Sequence, residues 1–424
     1  MKLEFIKYLL HDVLFTKEDI DFIISIENNE MNISVNGTVY VEPFFDADKL
    51  HLNKEDYACL DKILENREEI GWAKKEQINL LKIAYYFSNE FYVDRSKELD
   101  KHQRVCLGSI KETDVKYLEF PIVNILGTLL AEKWNVSLNK KVTLNFTCDY
   151  DILNFWTTNS YSWAIKRHIK NVLKKPILDS GKELFSNMFA KYINKHNPFL
   201  NLEMFVFDEK TVNLDVENYA FMLVEQGDKL LDPHNNFAEP SVKLFLKELI
   251  DNNVKVGLHP NYNAHYDGSF EKQIKTFEGI FEKKPQCSRN HYLRGVWPDF
   301  LLSLETLGVK DDFTFGFADS LLFRGGMASP FKLWNTKQQI PFNIVLHPLT
   351  IMDGTLQDYQ TPNLEESVKK CTEKLNYVYQ YGNEITLLWH NRSMYKYGFE
   401  NNILPELFQE VKKVIFRLNE KYAI

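Results

Sequence analysis

From Lys141 onwards, short apolar segments alternate with longer segments whose apolar residues recur at helical spacing. Six short segments have the length and composition of buried strands, and a seventh, FNIVLH (342–347), is a weaker candidate. The six are VTLNFT (142–147), YAFMLV (219–224), VKVGL (254–258), QCSRNHYL (286–293), FTFGFA (313–318) and EITLLW (384–389). The helical segments between them include SVKLFLKELIDNN (241–253), SFEKQIKTFEGIFEKK (269–284) and PDFLLSLETLG (298–308). This alternation is typical of βα units, so it predicts an α/β fold with a parallel sheet.

The first third of the chain has a different, mixed pattern. Residues 3–11 and 53–68 have helical spacing. The segment MNISVNGTVYVEPFF (31–45) alternates like a β-hairpin that turns at its Asn-Gly pair. The residues after Pro121 predict a further helix.

A short polar stretch at 137–141 separates the two patterns. We therefore expect a smaller N-terminal α+β domain at 1–138 and a second domain at 139–424. The N-terminal domain has no residues with recognisable chemistry, and we expect it to help frame a substrate cleft.

Composition narrows the class of protein. The 424 residues are 44% hydrophobic and 26% charged, as in globular proteins rather than disordered or membrane-spanning ones. The net charge of −8 argues against a nucleic-acid partner. We find no signal-peptide cleavage site and no apolar run of membrane-spanning length. Five cysteines without a CxxC pair predict reduced thiols, so we expect a cytoplasmic protein.

Polar and titratable side chains repeatedly follow the predicted strands. In a parallel sheet the carboxyl ends of the strands lie on one face, where active sites form. The residues concerned are Asp149 and Asp151 after VTLNFT, His259 after VKVGL, Arg289 and His291 within QCSRNHYL, Asp319 and Arg324 after FTFGFA, Asp353 after FNIVLH, and His390 after EITLLW. The sequence therefore predicts a site at this face.

The two aspartates flank Tyr150 directly after a buried strand. Carboxylates in that position lose solvation unless a metal, a cation or hydrogen-bond donors compensate them. A single aspartate would more often cap a loop, but two together favour a functional role.

His259 follows its strand directly, with Asn263 and His265 four and six residues later. Imidazoles near carboxylates suit zinc, although a lone histidine at a strand end is more often a core residue.

His390 ends LLWHN, and its imidazole titrates near neutrality, which suits proton transfer. The alternative for His390 is a structural hydrogen bond to the backbone.

The order of these motifs resembles the polysaccharide deacetylase superfamily, the NodB-homology enzymes of carbohydrate esterase family 4. TCDYD (147–151), VKVGLHP (254–260), RNHYLR (289–294) and LLWHN (387–391) resemble its first, second, third and last motifs. More narrowly, GFADSLLFRGGMASPF (316–331) and DKHQR (100–104) resemble a bacterial subfamily tied to surface-glycan synthesis, in which an uncharacterised domain precedes the barrel. The resemblance implies a distorted (β/α)7-8 barrel at 139–424.

The resemblance also implies roles for these residues. Asp149 would be the catalytic base, Arg289 would orient it, and His390 would be the general acid. Asp151 and His259 would bind a divalent ion, most simply zinc. The order of the two aspartates could be reversed, or both could bind the metal.

The family carries a second metal-binding histidine four residues after the first, where this chain has Asn263. His265 and Asn263 are therefore the expected further ligands, and His291 stays open as an alternative. The expected substrate-binding residues are His291, Asp319, Arg324, Trp334 and Asp353.

The leading hypothesis is a metal-dependent hydrolase that removes acetyl groups from a sugar or surface-glycan precursor. N-acetyl groups are the favoured substrate, and O-acetyl groups are the alternative. One alternative is a glycan-binding or scaffold protein that keeps the barrel and has a degenerate metal site. The other is a metal-free glycoside hydrolase in which Asp149 and Asp353 act across a cleft.

Overall fold

A computed structural model gives the fold of the 424-residue chain. The structure describes residues 2–15, 20, 22–27, 30–43, 45, 50–65, 79–138, 141–154, 169, 181, 184–185, 197, 199–205, 214–360, 363–394 and 403–422. Among these residues, every helix is too short or too polar to cross a lipid bilayer.

The described strands are β1 (Phe22–Glu27), β2 (Glu30–Val35), β3 (Thr38–Pro43), β4 (Thr143–Tyr150), β5 (Asp215–Met222), β6 (Lys255–Leu258), β7 (Cys287–Ser288), β8 (Asp311–Asp312), β9 (Trp334–Asn335), β10 (Ile340–Pro341), β11 (Val345–Leu346), β12 (Ile351–Met352) and β13 (Glu384–His390). Eight of them form the central sheet, in which all neighbouring strands are parallel, in the order β11-β8-β7-β6-β5-β4-β13-β12. A three-stranded antiparallel sheet, β1-β2-β3, and an antiparallel pair, β10-β9, accompany it. The predicted α/β class with a parallel sheet is confirmed.

One chain segment, residues 345–352, joins the two outer edges of the parallel sheet. At its start the His347 amide donates to the Asp312 carbonyl, on the β8 side. At its end the Thr350 amide donates to the Thr386 carbonyl, on the β13 side. The sheet therefore curls so that β8 and β13 lie on either side of the same segment.

Amphipathic helices cover the outside of the sheet. The last of them has buried residues spaced three and four apart, and its Phe408 ring lies 5.3 Å from Trp389 of β13 and 5.3 Å from Phe146 of β4. The helices are α1 (Lys2–Tyr8), α2 (Lys54–Glu65), α3 (Leu80–Ser88), α4 (Ile122–Lys133), α5 (Pro240–Asp251), α6 (Ala264–Asp267), α7 (Phe270–Phe281), α8 (Asp299–Thr306), α9 (Leu364–Tyr381) and α10 (Leu404–Tyr422). Because Phe408 is fully buried, truncating it to alanine would cost about 3–5 kcal/mol.

The N-terminal residues pack directly on the parallel sheet and its loops. Within these residues the β2-β3 hairpin turns at Asn36 and Gly37, both with positive φ, as the Asn-Gly pair predicted. Gly326 approaches α4 so closely that a Cβ there would lie 2.5 Å from Ile122. Buried side chains from both sides of residue 138 belong to one continuous hydrophobic cluster. The division into two domains stays a prediction.

Three of the predicted strands differ from the structure. FTFGFA is wrong as a strand, since β8 lies just before it at Asp311–Asp312. QCSRNHYL and FNIVLH each contain a strand of only two residues. The apolar residues of FTFGFA are buried because they pack in the core beyond the end of β8, where no ladder continues. Burial alone therefore produced the strand-like pattern.

Candidate metal centre and cleft

The carboxyl ends of β4, β6, β7 and β13 meet at an open cleft of about 690 Å³, its mouth included. The cleft is lined by charged, aromatic and apolar side chains from several loops. Its lining residues are Arg104, Asp149, Asp151, Ile152, Leu231, Pro233, His291, Tyr292, Leu293, Ala318, Met352, Gly354, Asp358, Tyr359, Leu388, His390 and Arg392. The cleft thus lies where the parallel topology brings the strand ends together.

Asp151, His259 and His291 form a buried cluster whose potential ligand atoms all lie within 4.8 Å of one another. His259 Nε2 is 3.2 Å from Asp151 Oδ1, and His291 Nε2 is 3.5 Å from the same oxygen. β6 and β7 are neighbours in the sheet, so the loops that follow them bring the two histidines together. The two imidazole centroids are 5.0 Å apart.

The hydrogen bonds of the two imidazoles fix which ring nitrogen carries the proton. His259 Nδ1 lies 2.5 Å from the Arg289 carbonyl oxygen, which can only accept. His291 Nδ1 lies 2.7 Å from Asp232 Oδ1, a carboxylate oxygen. Both Nδ1 atoms are therefore donors, and in the neutral rings both Nε2 lone pairs point towards Asp151.

Three potential ligand atoms thus converge, and all three are acceptors when both imidazoles are neutral. Asp151 Oδ1 and His259 Nε2 are both buried and neither makes a hydrogen bond. Burial raises the pKa of the Asp151 carboxyl, but His291, His259 and His390 lower it well below its ordinary value. An anionic oxygen beside two imidazole lone pairs fits a divalent cation, and His₂Asp is a ligand set that zinc uses.

Asp149 lies beside this cluster and is held by Arg289. Arg289 Nη1 donates to Asp149 Oδ1 at 3.0 Å and to Thr147 Oγ1 at 2.6 Å, while its Nε donates to the Phe313 carbonyl. The guanidinium is fully buried. His259 Nε2 is 3.8 Å from Asp149 Oδ2. The buried cation thus balances a carboxylate that lines the cleft.

Asp353 positions His390 and has no free oxygen for a substrate. Asp353 Oδ1 accepts from His390 Nδ1 at 2.7 Å, and Oδ2 accepts from the His390 amide at 2.8 Å. Burial lowers the pKa of His390, but Asp353 and Asp151 together raise it to about 9. His390 Nε2 faces the cleft 4.0 Å from Asp151 Oδ2. The predicted substrate-binding role of Asp353 does not fit this arrangement.

The structure does not bring His265 and Asn263 to the cluster. Asn263 precedes α6, and His265 lies on α6, where its ring contacts Tyr266 at a centroid distance of 4.3 Å. Burial and the nearby Arg294 lower the pKa of His265 to about 4. Their position in the local chain suggested metal ligands, but the short helix carries His265 away from Asp151.

Three other predicted substrate-binding residues lie outside the cleft lining. Arg324 makes a two-point ion pair with Glu90, at 2.6 and 3.2 Å, in the buried core. The Trp334 ring packs 5.5 Å from Phe5, and Asp319 Oδ2 accepts from a loop amide. Arg324 and Trp334 therefore connect the N-terminal residues to the parallel sheet.

Sequence reasoning missed Asp232, Arg104, Tyr359 and Arg392. Asp232 orients His291, and its carboxylate also accepts from the amides of Asp228 and Tyr262. It lies ten residues beyond the end of β5, too far for the rule of polar residues directly after strands to find it. Arg104 comes from the N-terminal residues and lines the cleft.

Comparisons with known proteins give little beyond this geometry. No family model matches the chain, and no curated protein matches it. Among solved structures, the chain is similar to one described as a "putative polysaccharide deacetylase" from Mycobacterium smegmatis. The two share 14% identity over 65% of this chain and 86% of that chain, with a TM-score of 0.37. Function must therefore be argued from the residues of the cleft.

Proposed function

We propose that this protein is a metal-dependent hydrolase that removes acetyl groups, most simply N-acetyl groups, from a sugar of a glycan or glycan precursor. One observation carries the proposal. The potential ligand atoms of Asp151, His259 and His291 lie within 4.8 Å of one another, beside an arginine-held carboxylate and a carboxylate-held histidine. Together these groups would supply the electrophile, the base and the acid of a metal-assisted amide hydrolysis.

Asp151, His259 and His291 would hold the ion, and zinc is the ion we propose. A bound zinc ion would polarise the acetyl carbonyl and lower the pKa of a nearby water towards roughly 7. The hydrogen bonds from His259 to Arg289 O and from His291 to Asp232 keep both Nε2 lone pairs directed at that position. In this proposal His291 is the third ligand, in place of His265 or Asn263.

Asp149 is the general base. Its carboxylate lines the cleft, where it can accept a proton from the attacking water, and one of its oxygens accepts from Arg289 Nη1 at 3.0 Å. Arg289 also donates to Thr147 and the Phe313 carbonyl, so the carboxylate is held in one orientation.

His390 is the general acid. With Nδ1 bonded to Asp353, its Nε2 proton is the one presented to the cleft, where it can protonate the leaving amine.

Tyr292 follows a proposed ligand in a left-handed turn (φ 62°), and its amide makes no hydrogen bond among the described residues. We assign that amide as a donor to the developing oxyanion.

A small apolar cluster beside these groups would receive the acetyl methyl. Leu293, Ala318, Met352 and Leu388 pack together and all line the cleft. An apolar surface next to the reacting carbonyl favours an acetyl group over a free amine or a charged substituent.

Specific contacts disfavour both alternatives. A glycoside hydrolase would need Asp353 as a second free carboxylate, but Asp353 is fully buried and both its oxygens bind His390. A degenerate scaffold gives no reason for Asp151, His259 and His291 to bring three potential ligand atoms together in the core.

Acetate release from N-acetylated chitooligosaccharides tests the proposal. We expect Asp149→Asn to lower kcat by at least about 10²-fold, because the base is lost while the fold is kept. His265→Ala is the matched control and should keep wild-type turnover, since its ring lies outside the cluster. Wild-type turnover in Asp149→Asn would overturn the assignment.

A further inference from the structure

Tyr359 is an aromatic side chain exposed at the cleft although its far end is tethered. It ends the helical turn Thr355–Tyr359 after β12, is 43% exposed and lines the cleft. Its hydroxyl accepts a hydrogen bond from Arg104 Nη2 at 2.7 Å. A bond at the end of the ring limits its rotamers, so the ring is a rigid, flat apolar surface beside the proposed centre.

Arg104 connects three separate parts of the chain through its guanidinium. Besides the bond to Tyr359, Nη1 donates to the Tyr292 carbonyl at 2.8 Å and Nε donates to Asp100 Oδ2 at 2.8 Å. The side chain is only 6% exposed. Only a planar fork can make these bonds at once, which lysine cannot reproduce.

The loop that carries Arg104 is held both by its own hydrogen bonds and by residues that follow the parallel strands. Asp100 Oδ1 accepts from the amides of His102 and Arg104, each at 2.9 Å, which closes the loop on itself. Arg294 Nε donates to the His102 carbonyl at 2.9 Å. The Leu107 amide donates to Asp319. Arg104 is therefore positioned before any ligand arrives.

We propose that Arg104 is a specificity-determining positioning residue that holds Tyr359 as a stacking platform for a pyranose ring of the substrate. The inference rests on the proposed function and adds to it a binding position for a sugar ring of the substrate. A pyranose ring presents an apolar C–H face, and a preformed aromatic surface binds it without an ordering cost. Arg104 acts through Tyr359 and does not touch the reacting atoms.

Calorimetric titration with N-acetylated chitotetraose tests this, using the zinc-loaded chain with Asp149→Asn so that the sugar is not consumed. We expect Arg104→Met and Tyr359→Ala each to weaken binding about tenfold. The combined variant should bind no worse than Tyr359→Ala alone, because both remove the same platform. Leu244→Ala is the control, a truncation of a 50% exposed side chain outside the cleft lining, and should leave the affinity unchanged.

Additive losses of about a hundredfold in the combined variant would overturn the inference. Wild-type affinity in Tyr359→Ala, or no binding of the tetraose by the parent, would overturn it as well. Acetate release by the otherwise unaltered chain separates the two proposals. Binding with the expected pattern but without acetate release would refute the hydrolase, whereas acetate release with unaffected affinities would refute the platform.

Discussion

The buried ion-pair cluster of His347 gives a pH-dependent stability that can be measured. His347 Nδ1 is 2.9 Å from Glu384 Oε1, and Nε2 is 3.1 Å from Asp311 Oδ1. The ring also stacks on Phe313 at 4.2 Å. Burial lowers the pKa of His347, but the two carboxylates raise it from 6.5 to about 9. These contacts lie on the segment that joins β8 to β13.

The sign and size of the effect follow from this raised pKa. The charged imidazole stabilises the fold fully below about pH 6.5. Its contribution falls as the pH rises through about 9, where the folded protein also loses the proton. A rise from 6.5 to about 9 corresponds to about 3 kcal/mol at 1.36 kcal/mol per pH unit.

Urea unfolding followed by tryptophan fluorescence measures this contribution. The reference is the double variant His347→Gln/Glu384→Gln, which removes the buried cation together with its buried partner. We expect the stability difference between wild type and reference to shrink by about 3 kcal/mol between about pH 6 and about pH 9.5. A difference that stays constant over this range would refute the reasoning.

Three further predictions follow from other contacts. Glu90→Gln should lower the unfolding free energy by about 3 kcal/mol, because it leaves the Arg324 guanidinium buried without its charged partner. Lys275→Met, which removes an exposed ion pair, should leave the unfolding free energy unchanged, and equal effects of the two variants would argue against the buried pair. His390→Ala should lower kcat for acetate release by about 10²–10⁴-fold and Asp353→Asn by less, so full activity in His390→Ala would exclude the general-acid role. Asp232→Asn should weaken zinc affinity about 10–100-fold by disturbing His291, and unchanged affinity in a competition titration would count against that contact.

The part of the site that the sequence predicted follows from one topological rule. Because β4, β6, β7 and β13 are parallel, residues after these strands meet at one face whatever their separation along the chain. From the sequence alone, the rule predicts that Asp149, Asp151, His259, Arg289 and His390 lie at one face.

The remaining features depend on packing that local patterns do not contain. The position of His265 a few residues after His259 favoured it as a metal ligand. The residues that lie near His259 are instead set by the strand beside β6, and that strand, β7, places His291 there. Asp232 lies ten residues beyond the end of β5, so its return to the sheet was hidden by the loop. Arg104 reaches Tyr292 across 188 residues, a contact that no periodicity reveals.

Zinc binding by the purified protein tests the central claim most directly. Titration of the metal-free chain, with metal content measured after dialysis, should show one zinc ion per chain in wild type and in His265→Ala. His291→Ala and His259→Ala should each lose zinc affinity by at least about 100-fold, because each removes a ligand whose lone pair faces Asp151. Wild-type zinc affinity in His291→Ala, or no stoichiometric zinc in the wild type, would contradict the metal centre proposed for this cleft.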